Sequence, residues 1–178
     1  MSVEKLMITA PPPEVPAESG SQDKWSEVEQ ALGTKLPGDY KEMINIYGTG
    51  CFGNYIYPYN PFSPAQDLVA IVPAILELYN QGRIQSPEYH CPVPSYPASG
   101  GLLPWGSGED SELLCWRTEG PIDRWSIVVL DNHYSEQYFE CEYSLTDFLV
   151  EWLNGELVIN VFPDDIKFAR RFTAIVSS

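Results

Sequence analysis

The sequence predicts an α+β protein, a single domain in which helices pack against a mainly antiparallel sheet. Apolar residues recur at helical spacing in segments on both sides of the centre of the chain. Between them lie four short strand-like segments with brief Gly-, Asp-, Asn- or Pro-containing connections, which favour antiparallel pairing. The length of 178 residues suits one domain better than two.

The N-terminal part predicts an arm followed by two helices. Residues 1–22 are rich in proline, serine and acid, and we expect an extended arm ahead of a domain spanning residues 23–155. Asp23 is the expected N-cap of a short helix that ends at Gly33. A second helix is predicted between Pro37 and Gly48. Its apolar face consists of Leu36, Tyr40, Met43, Ile44 and Tyr47.

The next segments predict a strand, a helix and a loop. Tyr55, Tyr57 and Tyr59 alternate with other residues, so a strand would place all three on one face, and Pro58 restricts it to an edge or a strand end. Proline disfavours helix at the residue before it, so a helix is predicted from Pro73 to Gly82. Residues 86–98 are rich in proline and predict an irregular surface loop.

Four strands are predicted in the second half of the chain, at Leu102–Trp105, Glu112–Arg117, Trp125–Leu130 and Tyr138–Tyr143. The run 127–130 is apolar on both faces, which indicates a central strand. In the last strand Glu140 and Glu142 alternate with apolar residues and should point outward together. Ser144 and Asp147 form a capping signal for a final helix that ends at Gly155. We expect residues 156–178 to form a C-terminal extension that packs on the domain and adds a strand and a short helix.

The charge of the chain limits the classes of partner. Acidic residues outnumber basic ones 25 to 10, giving a net charge of -15, which opposes binding to nucleic acid or anionic lipid. Twelve acids and two bases fall between Glu109 and Glu156. This asymmetry favours a basic partner, although a solvated, solubilising surface is an equally simple explanation.

No motif in the sequence predicts a membrane span, a cofactor, a metal or a catalytic residue. The longest apolar run is Leu68–Leu76, far short of the ~20 residues of a spanning helix, so the cytosol is the expected location. The four cysteines contain no CxxC pair, which argues against zinc and favours reduced thiols. Residues 48–53 spell G-x-G-x-x-G but follow a helix rather than a strand, so Gly48 is better explained as a helix C-cap.

Two groups of side chains remain as candidates for binding a protein partner. The acidic group is Glu109, Asp110, Glu112, Glu140 and Glu142. Glu109, Asp110 and Glu112 could hold a divalent cation, but they lack the ligand spacing of an EF-hand and fit a hydrated turn better. The aromatic group is Tyr55, Tyr57 and Tyr59, which would form either an interfacial stripe or part of the core. Trp105, Trp116, Trp125 and Trp152 fit the core better than a site.

Several motifs give the chain a resemblance to a known family. WSEVEQALGTKLPGDYKEMINIYGTG, GLLPWGSGEDSELLCWRT, WSIVVLD and SLTDFLVEWLNGEL follow one another between Asp23 and Gly155. The most specific part combines V-E-x-x-L-G, L-P, D-Y and G. In this order the motifs resemble the SUKH superfamily, the domain of the fungal cell-wall assembly regulator and of many bacterial immunity proteins.

The resemblance implies an α+β fold, no catalysis and no cofactor. It also implies a function, because bacterial members typically bind and neutralise a cognate toxin domain, often a nuclease. The first hypothesis is therefore a cytoplasmic immunity protein whose acidic surface binds a basic toxin. A regulatory or scaffold module of the same fold, binding a cell-wall or signalling partner, is the alternative. An enzyme acting on a nucleotide or sugar through paired carboxylates is a third. The oligomeric state is not predicted.

Overall fold

The computed structural model describes residues 2–166 and 169–175, and it has the α+β architecture that the sequence predicts. In these residues the helices are α1 (Ser2–Thr9), α2 (Gln22–Leu32), α3 (Gly38–Tyr47), α4 (Leu68–Gln85) and α5 (Leu145–Asn154). The strands are β1 (Gly50–Phe52), β2 (Ile56–Pro58), β3 (Leu102–Gly108), β4 (Leu113–Arg117), β5 (Ser126–Leu130), β6 (Tyr138–Cys141) and β7 (Phe172–Ala174). None of the described helices is both long and apolar enough to cross a membrane.

All strands belong to one antiparallel sheet with the order β6-β5-β4-β3-β2-β1-β7. The predicted meander of four strands forms the part from β3 to β6. β2 lies between β1 and β3, so Pro58 stands at a strand end and not at an edge of the sheet. β7 pairs with β1 and supplies the strand expected after Gly155. No helix follows α5 in the described residues, and Lys167, Phe168 and 176–178 lie outside them.

The sheet separates two apolar clusters. The main cluster includes Trp105 and Trp116 and is covered by α1, α2, α3 and α5. The second cluster lies on the opposite face, because its members Leu113 and Cys115 alternate along β4 with members of the main cluster. The four tryptophans that were expected in the core are all buried, Trp125 and Trp152 included.

The N-terminal segment differs from the extended arm that its composition predicts. Residues Ser2–Thr9 form a helix, and Leu6 and Ala10 are fully buried in the main cluster. Burial of these apolar side chains stabilises a helix too short to persist alone. The proline-rich residues that follow are also attached, since Thr49 donates a hydrogen bond to Glu18 at 2.6 Å and Asn60 donates to the Glu18 carbonyl at 3.1 Å.

α2 and α3 form as predicted except at one cap. Ser21, and not Asp23, is the N-cap of α2, and its hydroxyl accepts a hydrogen bond from the Lys24 amide at 3.5 Å. Gly33 ends α2 in the left-handed conformation, with φ of 75°, which glycine adopts without a steric penalty. Gly48 ends α3, and its amide donates to the Ile44 carbonyl, so the C-cap interpretation of this glycine is confirmed.

α4 is longer than predicted. It begins after Asp67, whose carboxylate accepts a hydrogen bond from the Val69 amide at 2.9 Å, and it passes through Pro73 and Gly82. Pro73 lacks the amide that would bond to Val69, but it lies on the exposed side of the helix. Burial of Leu68 and Val72 in the main cluster offsets this lost hydrogen bond.

The segment 86–98 is not only a surface loop. It contains a short 3-10 helix at Pro87–Tyr89, and its Cys91 and Val93 are buried in the second cluster. The Tyr79 hydroxyl of α4 donates a hydrogen bond to the Val93 carbonyl at 2.6 Å. The segment and α4 therefore cover the second face of the sheet together. Proline content indicated irregular backbone correctly but could not indicate this burial.

Candidate protein-interaction surface

The β3–β4 hairpin places two of the predicted acids in solvent. Its turn is closed by the Gly108 amide, which donates to the Glu112 carbonyl at 2.9 Å, and by the Ser111 amide, which donates to the Gly108 carbonyl at 3.2 Å. Glu109 and Asp110 lie at the tip and are exposed. The turn therefore presents two neighbouring carboxylates to an approaching partner.

Glu112 differs from its neighbours because it is buried. Only 3% of the residue is exposed, and its Oε1 accepts a hydrogen bond from the Tyr55 hydroxyl at 2.6 Å. Its Oε2 has no hydrogen-bond partner within the described part of the chain. This oxygen occupies the space that a side chain at Gly108 would need, so the glycine permits the burial. The expectation of a hydrated turn is therefore wrong for Glu112.

The three tyrosines do not form a single stripe. Tyr55 packs on the main cluster, with its ring centroid 5.0 Å from that of Phe162, and it lies in the turn before β2 and not in the strand itself. Tyr57 pairs with Ser107, and this register places it on the face of the second cluster. Tyr59 is 8% exposed and belongs to the main cluster. Of the three, only Tyr57 is half-buried, and burial of the other two agrees with the alternative that they serve the core.

Two of these tyrosines hold the acids of the hairpin in place. Tyr55 also contacts Asp110, with 3.4 Å between its hydroxyl and Oδ2, and the Tyr57 hydroxyl donates to Glu109. Burial and the hydrogen bond to Glu112 raise the pKa of Tyr55 well above its usual value. The hydrogen bond to Glu109, together with burial, raises the pKa of Tyr57. Both hydroxyls therefore stay protonated and act as donors at neutral pH.

Glu140 and Glu142 lie apart from the hairpin acids. Glu140 is opposite Val128 in the middle of β5, and Glu142 follows the end of β6 that is distant from the β3–β4 turn. Arg117 Nη1 lies 3.0 Å from Glu140 Oε2, and the Ser126 hydroxyl donates to Oε1 at 2.9 Å. The charge of Glu140 is thus partly compensated, whereas Glu142 is exposed. The five predicted acids form two groups and not one patch.

An acidic recess lies beside the hairpin, and the sequence did not predict three of its polar residues, Ser111, Asp131 and Asn132. It has a volume of about 660 Å³ and is lined by Glu109, Asp110, Ser111, Glu112, Asp131, Asn132, Val161, Phe162 and Pro163. Asp131 and Asn132 come directly after β5, whose Leu130 pairs with Leu113 next to the hairpin turn. Burial opposes ionisation of Asp131, but hydrogen bonds from Ser135 and from the His133 amide lower its pKa. The predicted antiparallel pairing of β4 with β5 was the sequence signal that could have placed Asp131 beside the hairpin.

The described residues contain no group of three or more His, Cys, Asp or Glu side chains that could hold a metal ion. His90 is 7% exposed and packs against Tyr79, with 4.8 Å between the ring centroids. Its ring Nδ1 lies 3.5 Å from the carbonyl of its neighbour Cys91. Cys51, Cys91 and Cys115 are buried free thiols, and Cys141 is half-buried. The geometry of these groups is that of core packing.

Motif residues that do not reach the recess hold the helices together. Glu29, from V-E-x-x-L-G, accepts hydrogen bonds from the Leu36 amide at 3.1 Å and from the Lys41 ammonium at 2.8 Å. Tyr40, from D-Y, is fully buried and donates to the Tyr59 carbonyl at 2.6 Å. Glu29 therefore connects α2 to the residue before Pro37 and to α3, and Tyr40 connects α3 to the residue that follows β2.

The sequence of the chain places it in a known protein family. No curated protein matches the chain. The SUKH_6 family, described as SMI1-KNR4 cell-wall, matches residues 22–149, which include α2 to β6 and the motifs above. Because the match covers well over half of the sequence, the chain belongs to the SUKH_6 family of SMI1-KNR4 cell-wall proteins.

Proposed function

We propose that this protein is an immunity protein that binds and neutralises a cognate toxin domain, a nuclease, in the cytoplasm. It acts as a stoichiometric blocker and catalyses no reaction. Membership of the SUKH superfamily supports a protein-interaction module, and the net charge of -15 supports a basic partner.

The single observation that carries this proposal is the exposed carboxylate pair on the β3–β4 hairpin. Glu109 accepts a hydrogen bond from Tyr57, and Asp110 lies 3.4 Å from the Tyr55 hydroxyl. With Glu112 and Asp131 they make four carboxylates that line one opening. Among the residues that the structure describes, no lysine or arginine lines that opening. A nuclease must present a basic surface to bind its substrate, and an acidic surface accelerates encounter with it and blocks the substrate.

The hairpin group should contribute more to binding than the β6 group. Glu140 already has Arg117 as a partner, so binding a cation there would have to compete with an existing ion pair. Glu142 is exposed, but it follows the end of β6 that is distant from the β3–β4 turn. We therefore propose the hairpin side as the centre of the interface, with Glu142 at its margin.

The direct experiment is to mix the purified chain with the toxin domain encoded next to its gene. We expect a complex of one copy of each by size-exclusion chromatography with light scattering, and nuclease activity titrated to zero at equimolar protein. The affinity should fall as salt rises, because the opposed charges are screened. A mixture that elutes as separate proteins, with the nuclease fully active, would refute the proposal.

The description of the matched family favours a second candidate, because it refers to the cell wall. In this candidate the same acidic surface of a regulatory or scaffold module binds a cell-wall or signalling protein. Affinity purification of the tagged chain from its own cells separates the two functions. Recovery of a housekeeping complex, without any toxin, would support the scaffold function.

A further inference from the structure

The buried carboxyl group of Glu112 is incompletely satisfied. Buried polar atoms almost always have a hydrogen-bond partner, and leaving one without a partner is costly. Tyr55 supplies a hydroxyl to Oε1, but no described residue supplies a donor to Oε2. The fold therefore provides a hydrogen-bond donor to one oxygen of the buried Glu112 carboxyl group and none from the described residues to the other.

Glu112 lines the acidic recess together with three other acids, which differ in the hydrogen bonds that they accept. Asp131 accepts hydrogen bonds from Ser135 and from the His133 amide, and Glu109 accepts one from Tyr57. Within the described part of the chain, Asp110 has the long contact to Tyr55 at 3.4 Å and no other hydrogen bond to its side chain. The recess therefore offers acceptors from Asp110 and Glu112, and no basic side chain is found among those of its lining residues that the structure describes.

Part of the lining of the recess is apolar. Val161 and Phe162 come from the segment after α5, and Phe162 is 7% exposed and packs against both Tyr55 and Trp152. An opening lined by both carboxylates and apolar carbon matches a side chain with an aliphatic stem and a cationic end. Lysine and arginine have this structure.

We propose that the acidic recess binds one lysine or arginine side chain of the protein partner, with Glu112 and Asp110 holding its cationic group. The proposal rests on the proposed function only for the statement that the cation belongs to a partner protein. A buried charge pair of this kind, surrounded by contacts that exclude water, is typical of an interface hot spot. The rest of the acidic surface would then guide encounter, whereas the recess would slow dissociation.

A small probe tests the recess without knowledge of the partner. The ¹⁵N-labelled full chain is titrated at low salt with Nα-acetyl-L-arginine N-methylamide, and separately with the uncharged citrulline analogue. We expect saturable amide shifts at residues 109–112 and 131–132 with the arginine compound only. Absence of these shifts, or equal shifts with the citrulline compound, would overturn the proposal.

Three variants make the test specific. Glu112→Gln keeps an acceptor for Tyr55 and should weaken binding of the arginine probe about tenfold, the scale expected for loss of a close charge pair. Asp110→Asn changes an exposed residue and should weaken binding without affecting folding. Glu42→Gln, on the exposed side of α3, is the matched control and should leave binding unchanged. Unchanged affinity in both recess variants would overturn the proposal.

The result is independent of the test for immunity. Neutralisation of a toxin by a chain that shows no shifts with the arginine probe would refute the recess and leave the proposed function intact. Shifts in the recess of a chain that binds no toxin would refute the proposed function, and would assign the recess to the cationic side chain of another protein or to a free cationic ligand.

Discussion

Asp39 of α3 accepts two hydrogen bonds from Thr146 of α5, one from its amide at 2.9 Å and one from its hydroxyl at 3.0 Å. Thr146 is the second residue of α5, so the carboxylate of one helix satisfies the free amide at the start of another. The two residues are 107 positions apart. This contact explains why an aspartate precedes the buried Tyr40 in the D-Y motif.

Replacing Asp39 should destabilise the junction of α3 and α5. We expect Asp39→Ala to lower the free energy of unfolding by about 2 kcal/mol, because both hydrogen bonds to Thr146 are lost. Urea denaturation followed by circular dichroism measures the change. Glu42→Ala, on the exposed side of the same helix, is the control and should cost less than about 0.5 kcal/mol. Equal effects of the two substitutions would contradict the assigned role.

Glu29 should make the free energy of unfolding depend on pH in the acidic range. Burial opposes its ionisation, but hydrogen bonds from Lys35, Lys41 and the Leu36 amide lower its pKa to about 2 from a usual 4.5. Its folded pKa lies below its unfolded pKa, so its contribution is complete above pH 4.5 and is lost as the pH falls toward 2. Glu29→Gln should therefore destabilise the protein by about 2 kcal/mol at pH 7 and by much less near pH 2.

The control for Glu29 is the neighbouring acid Glu27, which is exposed on α2. Urea denaturation of Glu27→Gln should match the parent protein at both pH values. A penalty for Glu29→Gln that is the same at pH 7 and at pH 2 would show that packing, and not ionisation, accounts for its role.

The N-terminal helix should contribute to the stability of the whole domain. Leu6 is fully buried, so Leu6→Ala should cost about 3 kcal/mol through lost burial and the cavity that remains. Ile8 lies on the same helix and is 83% exposed, so Ile8→Ala should change stability little. Thermal unfolding compares the two. Indistinguishable melting temperatures would mean that α1 does not pack as described.

The hydroxyl of Tyr55 should contribute more to the free energy of unfolding than the hydroxyl of Tyr57. Tyr55→Phe removes the donor of a buried carboxyl group and should cost about 2 kcal/mol in chemical denaturation. Tyr57→Phe removes a donor from the exposed Glu109, which water replaces, so its cost should stay below about 0.5 kcal/mol. A larger cost for Tyr57→Phe would contradict the burial assigned to Glu112.

The sequence predicted those elements whose signals are local. α3 was found because its apolar face, Pro37 and Gly48 lie within a dozen residues, and the meander was found because its connections are short. α1 was missed because the composition of residues 1–22 averages a helix with the proline-rich stretch after it. The buried contacts of Leu6 that stabilise this helix come from distant parts of the chain.

The site was predicted less completely for a related reason. The exposure of Glu109 and Asp110 follows from their place in a turn, which the sequence indicates. The burial of Glu112 depends on Tyr55, 57 residues earlier, and on the missing side chain of Gly108. The separation of Glu140 from the hairpin depends on strand register, and its ion pair depends on the neighbouring strand that carries Arg117.

Growth of cells that produce the toxin is the most direct test of the central claim. The toxin domain encoded beside this gene is expressed from an inducible promoter, with or without the chain. We predict that the chain restores growth and that Glu109→Gln combined with Asp110→Asn reduces rescue, whereas Glu27→Gln does not. Cells that die despite abundant, folded protein would contradict the account.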